Sequence, residues 1–160
     1  MSNSISNEGG WAATEMVTYL NSSLYNKLPS DLQSAIIPTY PIVSGSGSEG
    51  TSPNITEEDS VKNKMYLLST REVGLDSDYD NRKSIETDTR TLDYYSGDNR
   101  ASVRIKRTTS HQKYSWWLRS AFYPDNSTAF NTINDSGNNS CYRANTSSVG
   151  VAPAFRIGTN

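Results

Sequence analysis

The sequence predicts an α+β fold, with two N-terminal helices packed on a twisted, mostly antiparallel sheet. Three observations carry this. Apolar residues recur at helical spacing over the first forty or so positions, whereas the last third alternates in strand fashion between turn-rich segments. The chain of 160 residues is only 34% hydrophobic but 10% aromatic, with ten Tyr and three Trp. Aromatic rings must therefore supply much of the core. This length suits one ordinary domain, read as a polar lead over 1–9 and a domain over 10–160.

Taken in order, Ala12, Met16, Leu20 and Leu24 form an i, i+4 ladder that predicts a first amphipathic helix from Trp11. Ser30 and Gln33 stand at capping-box spacing ahead of Leu32, Ala35 and Ile36, which predicts a second helix ending before Pro38. Thr39 to Val43 reads as extended, and the Gly/Ser-rich run within 44–53 as a flexible loop. Lys64 to Ser69 is a short apolar strand, and Ser69 with Glu72 repeats the capping-box spacing, so the strand should run into a helical turn. Trp116 and Leu118 should share one face of a strand, with Trp117 and Arg119 on the other. Arg119 would then be a partly buried cation in need of carboxylate or carbonyl partners. Ala129 to Asn134 and Ser140 to Ala144 predict a hairpin about Asp135 to Asn139. In the closing segment Val149, Val151, Phe155 and Ile157 should point one way, with Pro153 marking an edge or bulge.

Formal net charge is -2, so the field of the whole molecule disfavours nucleic acid as a partner. No apolar run approaches the roughly 18 residues of a membrane span, and the Ser/Asn/Gly-rich start has neither the basic nor the apolar region of a secretion signal. Membrane insertion is not expected. Outside a cell the chain would travel within a larger assembly or a longer protein. From Asn99 to Pro124 there is no acid, while acids outnumber bases between Glu57 and Asp93. Arg100, Arg104, Lys106, Arg107 and Lys113 are therefore expected to pair with that acidic stretch, a functional basic patch being the alternative.

The candidates for chemistry are few. Asp76 to Asn81 begins like a calcium loop, but its sixth position is Asn81 instead of Gly and its twelfth is Thr87 instead of Glu. Cys141 and His111 have the residue types of a nucleophile and a base, but no local pattern joins them. One cysteine excludes an internal disulfide. No metal, cofactor or catalytic role is expected. The Trp116-Trp117 pair can be read as a sugar platform or as core, and the scarcity of aliphatic residues favours core.

The segment Phe122 to Ser148 combines Tyr with Asn, Ser and Asp between apolar strands. That mixture is used by recognition loops, because Tyr gives rigid amphipathic area and short polar chains give adaptable hydrogen bonds. The expected ligand-binding residues are Tyr123, Asp125, Asn126, Phe130, Asn131, Asn134, Asn138, Asn139, Tyr142, Arg143 and Asn145, held out by a platform of Trp116, Trp117, Leu118, Phe155 and Ile157. The same composition also describes ordinary solvated loops.

Several motifs carry a resemblance. They are Gly10-Trp11, Thr14-Glu15-Met16, Tyr19-Leu20-Asn21, Leu28-Pro29-Ser30-Asp31-Leu32, the run from Tyr66 to Val73, Leu92-Asp93-Tyr94-Tyr95, Trp116 to Ala121 and Gly150 to Ile157. Together they resemble a domain of gut-bacterial surface proteins and of phage or prophage structural proteins. The tail resembles the C-type lectin-like fold of formylglycine-generating enzymes and of variable proteins diversified by retroelements. That resemblance implies non-enzymatic recognition or adhesion at a bacterial surface or virion, with a cell-surface protein or glycan as partner. Contacts to other subunits of the assembly or to copies of itself are also implied, and a virion decoration or fibre-tip role is the alternative. The formylglycine chemistry needs two cysteines, and the calcium-type lectin motifs Glu-Pro-Asn and Trp-Asn-Asp are missing, so lectin here describes shape only.

Overall fold

The computed structural model describes residues 1, 7, 10–41, 62–75, 91–97, 100–122 and 128–158. The first helical stretch begins with a 3-10 turn at Trp11–Ala13 and continues as α1 (Glu15–Thr18). It then widens into a π-helical segment at Tyr19–Leu24 and tightens into a 3-10 turn at Tyr25–Lys27. The predicted ladder is present, with Met16 and Leu20 buried, but the helix is not uniform. Its polar middle explains this, since short polar side chains compete for backbone carbonyls. Asn21 Nδ2 donates to the Val17 carbonyl at 2.9 Å and Ser22 Oγ to that of Thr18 at 2.5 Å. The same Asn21 amide donates to Met65 O at 2.9 Å, and its Oδ1 accepts from Lys64 N at 2.7 Å and Met65 N at 3.0 Å. One amide therefore fastens the helical stretch to the approach of the next strand.

The second helix is α2 (Ser30–Ala35), with Pro29 as its N-cap. The expected capping box does not form there. Ser30 is already the first helical residue, and Gln33 Nε2 donates back to the Leu28 carbonyl at 2.7 Å. The helix ends before Pro38 as expected and gives way to β1 (Ile36–Ile37).

The next strand, β2 (Tyr66–Leu67), does run into a turn closed by a reciprocal capping box. Ser69 N donates to Glu72 Oε2 at 2.8 Å and Glu72 N to Ser69 Oγ at 3.1 Å. A 3-10 turn at Asp93–Tyr95 and helix α3 (Arg100–Arg104) follow, then β3 (Lys106–Arg107) and β4 (Lys113–Tyr114). The central sheet is β5 (Trp116–Ala121), β6 (Ala129–Ile133) and β7 (Asn139–Arg143), antiparallel in that order. The hairpin register places Ile133 opposite Asn139 and Ala129 opposite Arg143. Two short strands complete the fold: β8 (Pro153–Ala154) pairs with β2, and β9 (Arg156–Ile157) pairs with β1.

All of β5 is buried, on both faces. Trp116 and Trp117 are core residues, as are Trp11, Leu118 and Phe130, so the sugar-platform reading of the tryptophan pair does not apply. Arg119 is equally buried and finds both kinds of partner expected for it. Its fork meets Glu72 through NH1–Oε2 at 2.5 Å and NH2–Oε1 at 3.1 Å, and NH1 also donates to the Leu67 carbonyl at 2.8 Å.

Two expectations are corrected. The closing segment is not one continuous strand with a single apolar face: Val149 is buried, but Val151 is exposed and Ile157 is 63% exposed. Gly150 bridges Trp116 in parallel, and Phe155, half-buried, falls between β8 and β9, so the two-residue period is interrupted. Ile157 therefore does not join the platform with Trp116, Trp117 and Leu118, whereas Phe155 packs against the core from its edge. The polar lead also enters the fold, because Asn7 is buried and its Nδ2 donates to the Ala129 carbonyl at 2.7 Å. The expected loop over 44–53 and the calcium-like run over 76–81 lie outside the described residues.

Two outcomes follow for stability. Glu72→Ala leaves the Arg119 charge buried without its carboxylate and should cost about 3–5 kcal/mol, measured by urea unfolding; a loss under 1 kcal/mol would contradict the role given to the pair. Gly137 has a φ of 82°, and a Cβ there would lie 1.7 Å from the Ala101 carbonyl oxygen. Gly137→Ala should lower stability by more than about 1 kcal/mol in the same assay.

Candidate functional site

The rim predicted from composition is built on the β6–β7 hairpin, and the structure divides its residues into three groups. Phe130 and Asn131 are fully buried, which corrects their assignment to a binding surface. They belong to the central strand of the sheet, where Phe130 joins the core and Asn131 Nδ2 donates to the carbonyls of Ser120 and Ala121 at 3.2 and 3.1 Å. Asn134 is part-buried and shapes the turn. Its Oδ1 accepts from Ser136 N at 2.9 Å and Asn138 N at 3.0 Å, an Asx-type closure that occupies the side-chain carbonyl. Asn139 is half-buried, with its Oδ1 turned inward.

Asn138, Tyr142, Arg143 and Asn145 form the second group and are exposed as expected. Tyr142 does not stand loose. Its ring meets buried Trp117 edge-on, with centroids 6.4 Å apart and planes at 80°, a favourable aromatic geometry. Tyr123, Asp125 and Asn126 form the third group and lie outside the described residues.

Two hollows flank the stretch from Tyr142 to Val149. The first, of about 210 Å³, is lined by Lys113, Tyr114, Ser115, Asp135, Tyr142, Ser148 and Val149. The second, of about 220 Å³, is lined by Met1, Glu15, Met16, Tyr19, Asn145, Thr146 and Ser147. The first is the stronger candidate because its two tyrosines, 41% exposed at Tyr114 and 39% at Tyr142, present ring surface from two different hairpins. Its walls are well supported. The Asp135 turn is closed by Asn134, and Gly137 O in that turn accepts from Arg104 Nε at 2.7 Å. On the opposite side Gly150 lacks the Cβ that would stand 3.2 Å from Ser115 O and 3.4 Å from Tyr114 Cδ1, which lets the closing segment lie close against Tyr114 and Ser115.

Sequence reading missed Lys113 and Tyr114. The acid-free stretch pointed to charge pairing, and the available signal was a polar aromatic placed just before the Trp-Trp strand. Three of its cations meet carbonyls or rings of described residues. Arg104 donates to Gly137 O and Val73 O, Arg107 NH1 donates to His111 O at 2.9 Å, and Lys106 Nζ stands 5.6–5.8 Å from the rings of Tyr94, Tyr95 and Trp116. Residues 57–60 and 76–90 of the acidic stretch lie outside the described residues.

His111 is exposed in the β3–β4 turn at a φ of 63°, while Cys141 is half-buried in β7, so the two stand on different hairpins. Burial pushes the Cys141 thiol above its ordinary range. Among the described residues no group of three or more His, Cys, Asp or Glu could hold a metal ion, and no helix is long and apolar enough to cross a membrane.

A family model described as a domain of unknown function, DUF6273, matches residues 1–159. The chain belongs to the DUF6273 family. No curated protein and no solved structure matches it. In this DUF6273 domain the first hollow brings together two tyrosine rings, one lysine, one aspartate and two serine hydroxyls. Side chains of these types can stack on a ring and exchange hydrogen bonds with it.

The thiol of Cys141 provides a check on the site's surroundings. Its raised pKa lowers the thiolate fraction at neutral pH, so alkylation by iodoacetamide at pH 7 should be slower than that of free cysteine and should accelerate on urea unfolding. Labelling as fast as free cysteine would show that β7 is open there.

Proposed function

We propose that this DUF6273 domain is a non-enzymatic recognition module of C-type lectin-like architecture, displayed on a phage virion or bacterial surface assembly, that engages a cell-surface partner through the face around Tyr142. The observation that carries the reading is the fixing of an exposed tyrosine by a buried tryptophan. A surface side chain whose rotamer is already restrained loses little entropy on binding, which makes it an effective anchor. Asn138, Arg143 and Asn145 are exposed along the same hairpin and its exit and add adaptable hydrogen-bonding groups to the surface. The architecture is supported by a three-stranded antiparallel sheet, by two helical stretches that precede it in the chain, and by a closing segment that pairs with the early strands β1 and β2.

The test is flow cytometry of the fluorescently labelled domain on a panel of gut-bacterial cells, compared with Tyr142→Ser and Arg143→Ser variants whose near-ultraviolet circular dichroism is unchanged. Loss of the tyrosine anchor should weaken binding by about 2 kcal/mol, roughly thirtyfold in apparent affinity. Unchanged binding by the folded variants, or a symmetric oligomer that buries this face, would overturn the reading and favour a contact role between virion subunits.

A further inference from the structure

We propose that the hollow between Tyr114 and Tyr142 is a saccharide site that takes one uncharged pyranose ring of a surface glycan. The inference rests on the recognition reading and names the chemistry of its ligand. A pyranose has an apolar face of C–H groups and a perimeter of hydroxyls, so it needs an aromatic surface together with both donors and acceptors. This hollow supplies them from opposite sides. Tyr114 and Tyr142 offer partly exposed rings, Asp135 offers a carboxylate able to accept from two hydroxyls, and Lys113 offers a donor, with the hydroxyls of Ser115 and Ser148 alongside.

The charge balance selects among ligands. One lysine and one aspartate leave the described lining without net charge, which disfavours a phosphate or another polyanion. A ligand cation would meet the like charge of Lys113 in the lining, which disfavours an ammonium group. A neutral, hydroxyl-rich ring meets neither penalty. The walls are held before any ligand arrives, by Trp117 behind Tyr142, by the Asn134-closed turn under Asp135, and by the bare α-carbon of Gly150 close to Tyr114. A shallow hollow of about 210 Å³ suits one ring of a longer chain.

The experiment is saturation-transfer NMR on the full chain with the methyl glycosides of glucose, mannose, galactose and N-acetylglucosamine. Sialic acid and choline serve as charged comparisons. At least one neutral glycoside should receive saturation, and Tyr114→Ala, Tyr142→Ala and Asp135→Asn should each weaken it about tenfold. Tyr19→Ala, in the other hollow, should leave it unchanged. Ser148→Trp, which fills the hollow without removing either tyrosine, should abolish binding and covers the case in which a tyrosine variant fails to fold. No transfer to any neutral glycoside, a preference for sialic acid or choline, or a signal indifferent to Ser148→Trp would overturn the proposal. Cell binding that depends on Tyr142 but is not competed by any glycoside would remove the saccharide while leaving the recognition reading in place.

Discussion

The fork between Arg119 and Glu72 is the constraint on which the rest of the structure depends. A guanidinium inside the core is tolerated only when each of its donors is directed at an acceptor. Here that requirement fixes three pieces of chain at once. Glu72 is held in place by the capping box with Ser69, Leu67 lies in β2 opposite Pro153 with its carbonyl accepting from Arg119 NH1, and the Arg119 backbone N–H donates to Leu68 O at 3.0 Å. Thr70 N then donates to Ser120 Oγ at 3.0 Å, which carries the seam on from Leu68 to Thr70 and from Arg119 to Ser120. The polar contacts set the register, and the tryptophans on the same strand supply the apolar burial that keeps water out.

That division of labour explains how a chain so poor in aliphatic residues still presents a polar face. The three tryptophans are all committed to the interior, whereas the described tyrosines divide: Tyr25, Tyr66 and Tyr95 are buried, and Tyr19, Tyr40, Tyr94, Tyr114 and Tyr142 reach solvent. A phenol with one end apolar and the other wet suits the boundary between core and surface. Tyr142 shows the arrangement most clearly, since one ring edge leans on Trp117 while the rest is exposed. The exposed face around Tyr142 is thus a continuation of the core packing.

Much of this was legible in the sequence wherever a pattern had a local cause. The Ser69/Glu72 capping box, the hairpin about Asp135 to Asn139, the arrest of α2 before Pro38 and the need of Arg119 for buried partners each follow from residues a few positions apart or from one unmistakable charge. The failures share a different origin. Ser30 and Gln33 have the same spacing as Ser69 and Glu72, yet Pro29 takes the N-cap and Gln33 turns to the Leu28 carbonyl. Composition could not separate Phe130 and Asn131 from Tyr142 and Arg143, because strand order decides which residues sit in the middle of the sheet. The hollow itself joins Tyr114 to Tyr142 across two hairpins, a juxtaposition that exists only once the chain has folded.

The pairings of β8 with β2 and of β9 with β1 reach across most of the chain. Contacts of such long sequence separation slow folding, because the loop entropy is lost before the contacts that reward it can form. During synthesis Ile36, Ile37, Tyr66 and Leu67 therefore wait, with unpaired backbone edges, until β8 and β9 leave the ribosome. A nascent domain of this design has a vulnerable interval in which exposed strands can join the wrong neighbour, and removal of β8 and β9 would make that interval permanent.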